Sequence, residues 1–495
     1  MIQMNAFLVY FLIVAGLVSP SYAQQVDTSL VDVDQKIGLW MKEWNVPGMA
    51  VGVVKDGQML LFKGYGVRDA EKGLPVIPNT VFCIASNTKA FTSVSAALLV
   101  DAGKLEWDKP VVDVVPEFKV ADSFVNREIT IRDMLCHRSG LPEHFLLYDI
   151  FPTDRERLVK SLQYTQPTLG FRQVYHYNNV VYAVAGYIVG RIAGMTWEDF
   201  VQENIFNPLG MDHSSFGLDI QQAEEFAYPY EYKDGLVRVN TFRDEGSANP
   251  AGGINSSLDD MLKWLDLYQN FGKVGEKRIV SKENLDQTYT AQIINKYLPW
   301  SSTSPMGAYG LGWHSEVYRG HLSINHGGIL FGRYASWIVW LPKDEVGIVI
   351  LSNAGTMLPY YLSYIITEKL IGIDIAYWDS ILAKEAEDER KASENEPVRS
   401  VAIPPSLAEK LRGMYFNPAY GNAEVRITDT MSAICFGEQV QLPLSYLNDS
   451  TLEALNQEVN FPFEISLTRD QEDQVISFKG AFCPWQDVEF RRISD

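Results

Sequence analysis

The chain is 495 residues long and carries 42 Lys and Arg against 62 Asp and Glu, a formal net charge of −20. Its 46% hydrophobic and 21% charged residues are those of an ordinary globular protein, which excludes wholesale disorder, and the length suits about two to four domains. So acidic a chain is repelled by nucleic acid and by anionic membrane surfaces, and neither is expected as a partner.

The first 23 residues hold no charged side chain. An apolar run over residues 6–18 leads to Pro20 and the small-x-small pattern Ser21-Tyr22-Ala23. That run is too short for a ~30 Å hydrocarbon core and reads as an export signal cut after Ala23, although no Lys or Arg precedes it. The mature chain is therefore expected to be exported, periplasmic or extracellular, without stable membrane insertion.

Residues 34–44 place their apolar side chains at helical spacing. Two apolar runs, 49–54 and 59–62, flank Lys55-Asp56-Gly57 and read as a β-hairpin. A helix starts near Ser86, with Ala90, Phe91, Val94, Ala97 and Leu98 on one face and Gly103 as its stop. Further helices are expected over residues 179–191 and 258–268. Strands return at 336–341 and 346–352, joined by Pro342-Lys343-Asp344. Residues 384–399 are densely charged, an exposed helix or a linker, and Pro404-Pro405 stiffens their end. Beyond them, short apolar runs at 424–427, 440–444, 463–467 and 475–478 alternate with Asn, Asp and Gly turns, the pattern of a small all-β barrel or sandwich. The domain reading is an export segment at 1–23, a main domain at 24–380, a charged linker at 381–404 and a β-domain at 405–495.

Four cysteines, Cys83, Cys136, Cys435 and Cys483, are too few for a disulfide scaffold. Cys435 and Cys483 pair if neighbouring strands carry them; buried free thiols is an equal reading. No CxxC or HExxH occurs and the seven histidines are scattered, so no metal is expected.

Three short motifs carry chemistry. Ser86-Asn87-Thr88-Lys89 lies where a loop enters an apolar helix, and three residues of helix put the hydroxyl and the amine on one face. A Ser hydroxyl needs an adjacent base, and a desolvated Lys can be that base because burial lowers its pKa. Tyr177-Asn178-Asn179 opens a second apolar helix: a Tyr beside an ammonium ionises more easily and can shuttle a proton, while an Asn amide can hold a carbonyl or simply cap the helix. His326-Gly327-Gly328 precedes the late strands, where glycines let a strand edge approach a ligand.

S-x-x-K, then Y-x-N, then H-x-G in this order resembles the serine β-lactamase and penicillin-binding-protein superfamily, and most closely its class C β-lactamase-like branch of esterases, D-aminopeptidases and DD-peptidases. Met134-Leu135-Cys136-His137-Arg138-Ser139-Gly140-Leu141 is similar to that family's LLxHxSGL segment. Gly252-Gly253-Ile254-Asn255-Ser256-Ser257 with Asp260-Met261, Tyr309-Gly310-Leu311-Gly312-Trp313 and Leu351-Ser352-Asn353 also resemble family stretches. The resemblance spans roughly residues 30–370. It implies an α/β fold, an antiparallel sheet flanked by helices with an all-helical subdomain, and no cofactor. Ser86 would be the acylated nucleophile, Lys89 its base partner, Tyr177 a proton relay and Asn179 a substrate-orienting group. The N–H groups of Ser86 and Ile329 would form the oxyanion hole, and His326, Gly327 and Gly328 would line the substrate. Class C β-lactamases carry Lys and Thr where His326 and Gly327 stand. The change removes a permanent cation, which disfavours β-lactam hydrolysis and favours esterase, amidase or peptidase chemistry. A His titrating near ~6.5 would bind anionic substrates better in acid, unless it only braces its strand. Arg333 is an alternative cation, more readily explained as a solvated surface group. Leu411-Arg412-Gly413-Met414-Tyr415 and Asn417-Pro418-Ala419-Tyr420-Gly421 resemble the lipocalin-like β-domain appended to many secreted members.

The leading expectation is a serine hydrolase that forms an acyl-enzyme on an ester, amide, peptide or β-lactam bond. Its partner is then a small-molecule or peptide acyl substrate. An acyltransferase using an alcohol or amine acceptor, and a non-catalytic sensor or scaffold, are the alternatives.

Overall fold

The computed structural model describes residues 24–144, 146–232, 235–240, 246–295, 307–330, 333–394, 401–428, 431–438, 440–456, 461–483 and 486–493. The expected export segment lies outside them. Helix α1 (Val31–Glu43) turns Val33, Ile37, Trp40 and Met41 inward, the stripe its periodicity requires. Strands β1 (Gly48–Lys55) and β2 (Gln58–Asp69) form the expected hairpin. Its turn residues Asp56 and Gly57 both have positive φ, 51° and 71°, as a type I′ turn demands.

The helical part of the chain includes α2 (Thr88–Asp101), α3 (Arg155–Ser161), α4 (Asn179–Ala193) and α5 (Leu258–Gln269). The chain then returns to the sheet in β3 (His314–Tyr318), β4 (His321–Leu330), β5 (Tyr334–Leu341) and β6 (Val346–Ser352), followed by α6 (Leu358–Leu370) and α7 (Trp378–Glu394). The central strands run β2-β1-β6-β5-β4-β3, each antiparallel to its neighbour.

Every residue of β6 is buried, which explains why its sequence is continuously apolar rather than alternating. One sheet face carries Val51, Val53, Ile348 and Ile350 into a cluster with α1, α6 and α7. The other carries Ala50, Val349 and Leu351 against α5 and the helical region. The site lies on this second face.

The stretch expected as a charged linker is helical as far as Glu394. Its charges occupy the outer side, while Trp378 and Leu382 are buried against α1 and α6 and Asp379 pairs with Lys36 at 2.6 Å. Apolar residues four apart were enough to dock it. A short helix, α8 (Pro405–Leu411), leads into the last region.

That region is a closed eight-stranded antiparallel barrel, of β7 (Gly413–Asn417), β8 (Gly421–Ile427), β9 (Ser432–Phe436), β10 (Val440–Asn448), β11 (Thr451–Asn456), β12 (Phe461–Arg469), β13 (Val475–Cys483) and β14 (Gln486–Arg492). Pairing of β7 with β14 removes the open edges. Alternation is clean in β8, where Ala423, Val425 and Ile427 face inward. Phe436, Phe478, Phe482 and Phe490 fill the interior, with Phe478 and Phe490 stacked at 5.1 Å. Cys435 is a free buried thiol: its strand β9 pairs with β8 and β10, whereas Cys483 sits at the end of β13, beside β12 and β14. The two strands are not neighbours, so the disulfide does not form.

Candidate active site

The site is assembled where the first turn of α2 meets the edge of β4. A short 3-10 turn, Ala85–Asn87, precedes α2 and presents Ser86. Ala85 sits at φ 46°, a left-handed conformation costing about 1–2 kcal/mol for a residue with a Cβ. Neighbouring strands hold it there. The Ile84 carbonyl accepts from Ser336 Oγ at 2.7 Å, the Ile84 N–H donates to Ile254 O at 3.0 Å, and Asn87 Nδ2 donates to Ser336 Oγ at 2.7 Å.

Strand β4 pairs with β3 only as far as Asn325, so residues 326–330 leave that edge unpaired among the described residues. The edge is pressed onto the Ser86 turn. A Cβ on Gly328 would stand 2.2 Å from Ile84 O and 2.9 Å from Ser86 N, so only glycine fits. At Gly327 a Cβ would enter the Trp337 ring at 1.9 Å, so a Thr there requires that indole to move.

Lys89 is fully buried one helical turn beyond Ser86. Its Nζ lies 2.7 Å from Asn179 Oδ1, 2.7 Å from the Ala251 carbonyl and 3.0 Å from Ser86 Oγ. Burial draws its pKa down to about 7, against a smaller upward pull from the Glu143 carboxylate. The geometry gives the neutral amine a direction. Of its three hydrogen-bond partners among the described residues, two are carbonyl oxygens, which only accept, so its two hydrogens go to them. The lone pair then faces Ser86 Oγ, the one neighbour able to donate.

Asn178, rather than Asn179, caps α4, its Oδ1 accepting from the Val181 N–H at 3.1 Å. Asn179 is thereby left to Lys89. Tyr177 lies with its ring centroid 4.6 Å from Lys89 Nζ. Burial pushes its pKa above the ordinary phenol value, partly offset by a hydrogen bond with Ser86. The expectation that it ionises readily is therefore reversed: Tyr177 stays a phenol, suited to giving a proton rather than taking one.

His326 follows the bracing alternative rather than the titrating one. It is 2% exposed, with Nδ1 bonded to Gly327 O at 2.7 Å and Nε2 to Tyr309 Oη at 2.9 Å. Burial, then the neighbouring His314 and Lys89, hold its pKa well below 6.5. Its ring is a neutral brace for the strand and does not act as a cation in the neutral range. Arg333 is half-buried in the turn before β5.

Glu143, Ala251, His137 and Ser336 were not among the residues singled out for the site. Glu143 follows the recognised segment by two residues and accepts from the Asn179 N–H at 2.5 Å and from Asn179 Nδ2 at 3.3 Å. Burial raises its pKa to about 7. His137 Nδ1 accepts from the Asn178 N–H at 3.0 Å, which ties the LLxHxSGL-like segment to the Tyr177 loop. Ala251 acts through its backbone, which leaves no mark in side-chain identity.

A serine hydroxyl beside a desolvated amine, facing an unpaired strand edge on this sheet, is the arrangement of the serine β-lactamase and penicillin-binding-protein fold. The β-lactamase family profile matches residues 33–363, and the chain belongs to that family, a family of serine hydrolases. It is 30% identical over 410 residues to unguisins hydrolase ungD' of Aspergillus campestris, covering 77% of this chain and 74% of that protein. It is 27% identical over 340 residues to protein flp of Staphylococcus aureus strain MRSA252, covering 67% of this chain and 63% of that one. Among solved structures, the octameric penicillin-binding protein homologue of Pyrococcus abyssi aligns with a TM-score of 0.61 at 22% identity, over 93% of this chain and 99% of that one. A class C β-lactamase from Rhodobacter sphaeroides aligns at 0.54 and 23% identity, over 70% and 97%. Both likenesses speak to fold.

Proposed function

We propose that the protein is a cofactor-independent serine hydrolase that works through an acyl-enzyme on Ser86, with an uncharged ester or amide as substrate. Ser86 Oγ attacks the substrate carbonyl carbon while Lys89 Nζ takes its proton. The developing oxyanion is held by the N–H groups of Ser86 and Ile329, at the turn and the strand edge that Gly328 brings together. The leaving group departs with a proton supplied through the Tyr177 hydroxyl, which recovers one from the Lys89 ammonium. Water then attacks the acyl carbon, Lys89 takes its proton, and Ser86 regains its hydroxyl as the acid is released.

The observation that carries this reading is the placement of Lys89 between two obligate acceptors and the Ser86 hydroxyl. The neutral His326 supports an uncharged substrate, since this ring offers a carboxylate no positive charge. A fluorescent phosphonate should label the wild type at Ser86, mapped by peptide sequencing, and Ser86→Ala should lose labelling and at least ~10³-fold of turnover. A product-resolved screen of esters, D-aminoacyl amides and β-lactams, with and without alcohol acceptors, then identifies the bond and the acceptor. Turnover of a Ser86→Ala variant near that of the wild type would refute the mechanism.

A further inference from the structure

None of the three motifs accounts for Glu143, or for the barrel residue that reaches toward it. The Glu143 side chain is buried, and its two carboxylate oxygens take the backbone and side-chain N–H groups of Asn179. An amide is nearly symmetric in shape, so packing alone does not choose which end faces Lys89. Turned half a revolution, Asn179 would point its NH2 at the Lys89 amine and its oxygen at a carboxylate. Glu143 excludes that arrangement. With the turned amide, Lys89 would meet a donor on that side, and its lone pair would be drawn from Ser86 to Asn179.

The next residue, His144, is 2% exposed and its Nδ1 lies 2.7 Å from the hydroxyl of Tyr420. Tyr420 belongs to the barrel, in the turn between β7 and β8, where Asn417 Oδ1 accepts its N–H at 3.2 Å. Its ring packs against Phe490 of the barrel interior at 5.7 Å. Burial pulls the His144 pKa down to about 4, so this contact keeps one protonation state through the neutral range. Beside it a cavity of about 440 Å³ opens between the two regions, lined by His144, Tyr164, Thr165, Phe416, Pro418 and Val488. On this side the His144 ring is therefore held by a directed hydrogen bond next to open space.

We propose that Glu143 is a positioning residue of the active site and that the barrel holds it in place through Tyr420. The Tyr420–His144 contact fixes residues 142–144, the carboxylate locks the Asn179 amide, and the locked amide leaves the Lys89 lone pair aimed at Ser86. This inference rests on the acylation reading above.

The test follows the rate of Ser86 labelling by a fluorophosphonate against pH, with melting temperature measured alongside, on the full chain. Glu143→Gln keeps the size of the side chain, tolerates either orientation of Asn179 and removes the charge that favours the Lys89 ammonium. Labelling should slow about 10- to 100-fold. The midpoint of its pH profile should move down, because the ammonium has lost a stabilising charge. Glu143→Asp, which restores the charge, should bring the midpoint back toward that of the wild type. Tyr420→Phe should slow labelling by about 10-fold in the wild type and add nothing in the Glu143→Gln background, because both act through one amide. Wild-type rates and midpoints in Glu143→Gln and Tyr420→Phe would overturn the inference. So would fully additive losses, or a fall in melting temperature with an unmoved midpoint. A wild type that is not labelled at Ser86 would remove the acylation reading itself and the inference with it, so the two failures are distinct.

Discussion

The interiors of the barrel and of the catalytic region are built on opposite terms. The barrel is closed around phenylalanines, and Phe478, Phe482 and Phe490 lie centroid to centroid within 5.1 to 6.1 Å of one another. Around Ser86 the chain instead buries an amine, a carboxylate and the imidazoles of His137 and His326, each 9% exposed or less. Apolar burial contributes to stability wherever it occurs, about 25 cal/mol per Å². A buried ionisable group costs stability unless partners compensate it, and the directions of the pKa shifts show that cost: Lys89 falls, Glu143 rises and His326 falls. One interior is arranged for folding. The other buries ionisable groups at a site that folding alone would have filled with leucine, as the proposed proton transfer requires.

Substitutions should therefore separate the two. Lys89→Met removes the buried amine and keeps its volume. Activity should fall at least ~10³-fold, while the melting temperature stays level or rises, read by calorimetry beside a turnover assay. Phe478→Ala, which leaves the rings around Tyr420 in place, should do the reverse, costing about 3–5 kcal/mol of stability with acylation per folded molecule unchanged, as chemical denaturation would show. If Phe478→Ala instead silences the folded enzyme, the barrel reaches the site by more than the Tyr420 contact.

Gly328→Ala sharpens the comparison, because its small volume change falls where the strand edge meets Ser86. Displacing that edge should cost about 10²-fold in kcat with KM little changed, since an oxyanion contact is made most strongly in the transition state. Equal loss in kcat and in binding of a ground-state analogue would place the damage elsewhere.

Asp133 supplies a smaller, pH-dependent effect. Burial raises its pKa, but hydrogen bonds from Arg172 at 2.8 Å and Arg138 at 2.6 Å outweigh that and leave it lowered. A carboxylate with a depressed folded pKa contributes stability that is present above its unfolded pKa and lost as pH falls through the folded value. Asp133→Asn should cost about 1–3 kcal/mol at neutral pH and flatten the acid side of the stability curve, measured by urea unfolding at several pH values. The smallest effect concerns His326. His326→Gln should leave any difference in pH dependence between anionic and neutral substrates unaltered through the neutral range, because this ring stays neutral there and such a difference belongs to Lys89 and Glu143. A difference that disappears with the substitution would restore His326 as a titrating site residue.

How much of this was legible in the chain follows from the range of each contact. Ser86 and Lys89 are one helical turn apart, so their meeting is local and their spacing announces it. The Asp56-Gly57 turn and the continuous apolar run of β6 are equally local. The Ala251 carbonyl reaches Lys89 from 162 positions away, and Ser336 reaches Ile84 from 252 away. Such contacts come from the topology of the sheet, and no spacing rule encodes them. The protonation behaviour of Tyr177 and His326 was misjudged for the same reason: ordinary pKa values assume water, and the depth of the site is a property of the packed chain. Of the two readings of the charged run at 384–399, exposed helix or linker, the helix holds as far as Glu394, and the acidic and basic residues obscured only the few apolar side chains that dock α7.

The central claim is that burial brings the Lys89 ammonium to give up its proton near neutral pH, leaving a neutral amine with its lone pair on Ser86. Its most direct measurement is the titration of Lys89 itself, by NMR of the lysine Nζ in the resting enzyme, compared with the pH profile of Ser86 acylation. The account gives both a midpoint near about 7, with acylation rising as pH passes through it because the ammonium gives up its proton there. A Lys89 that titrates at its ordinary value of 10.5, with acylation already complete in its pH dependence far below that, would contradict it.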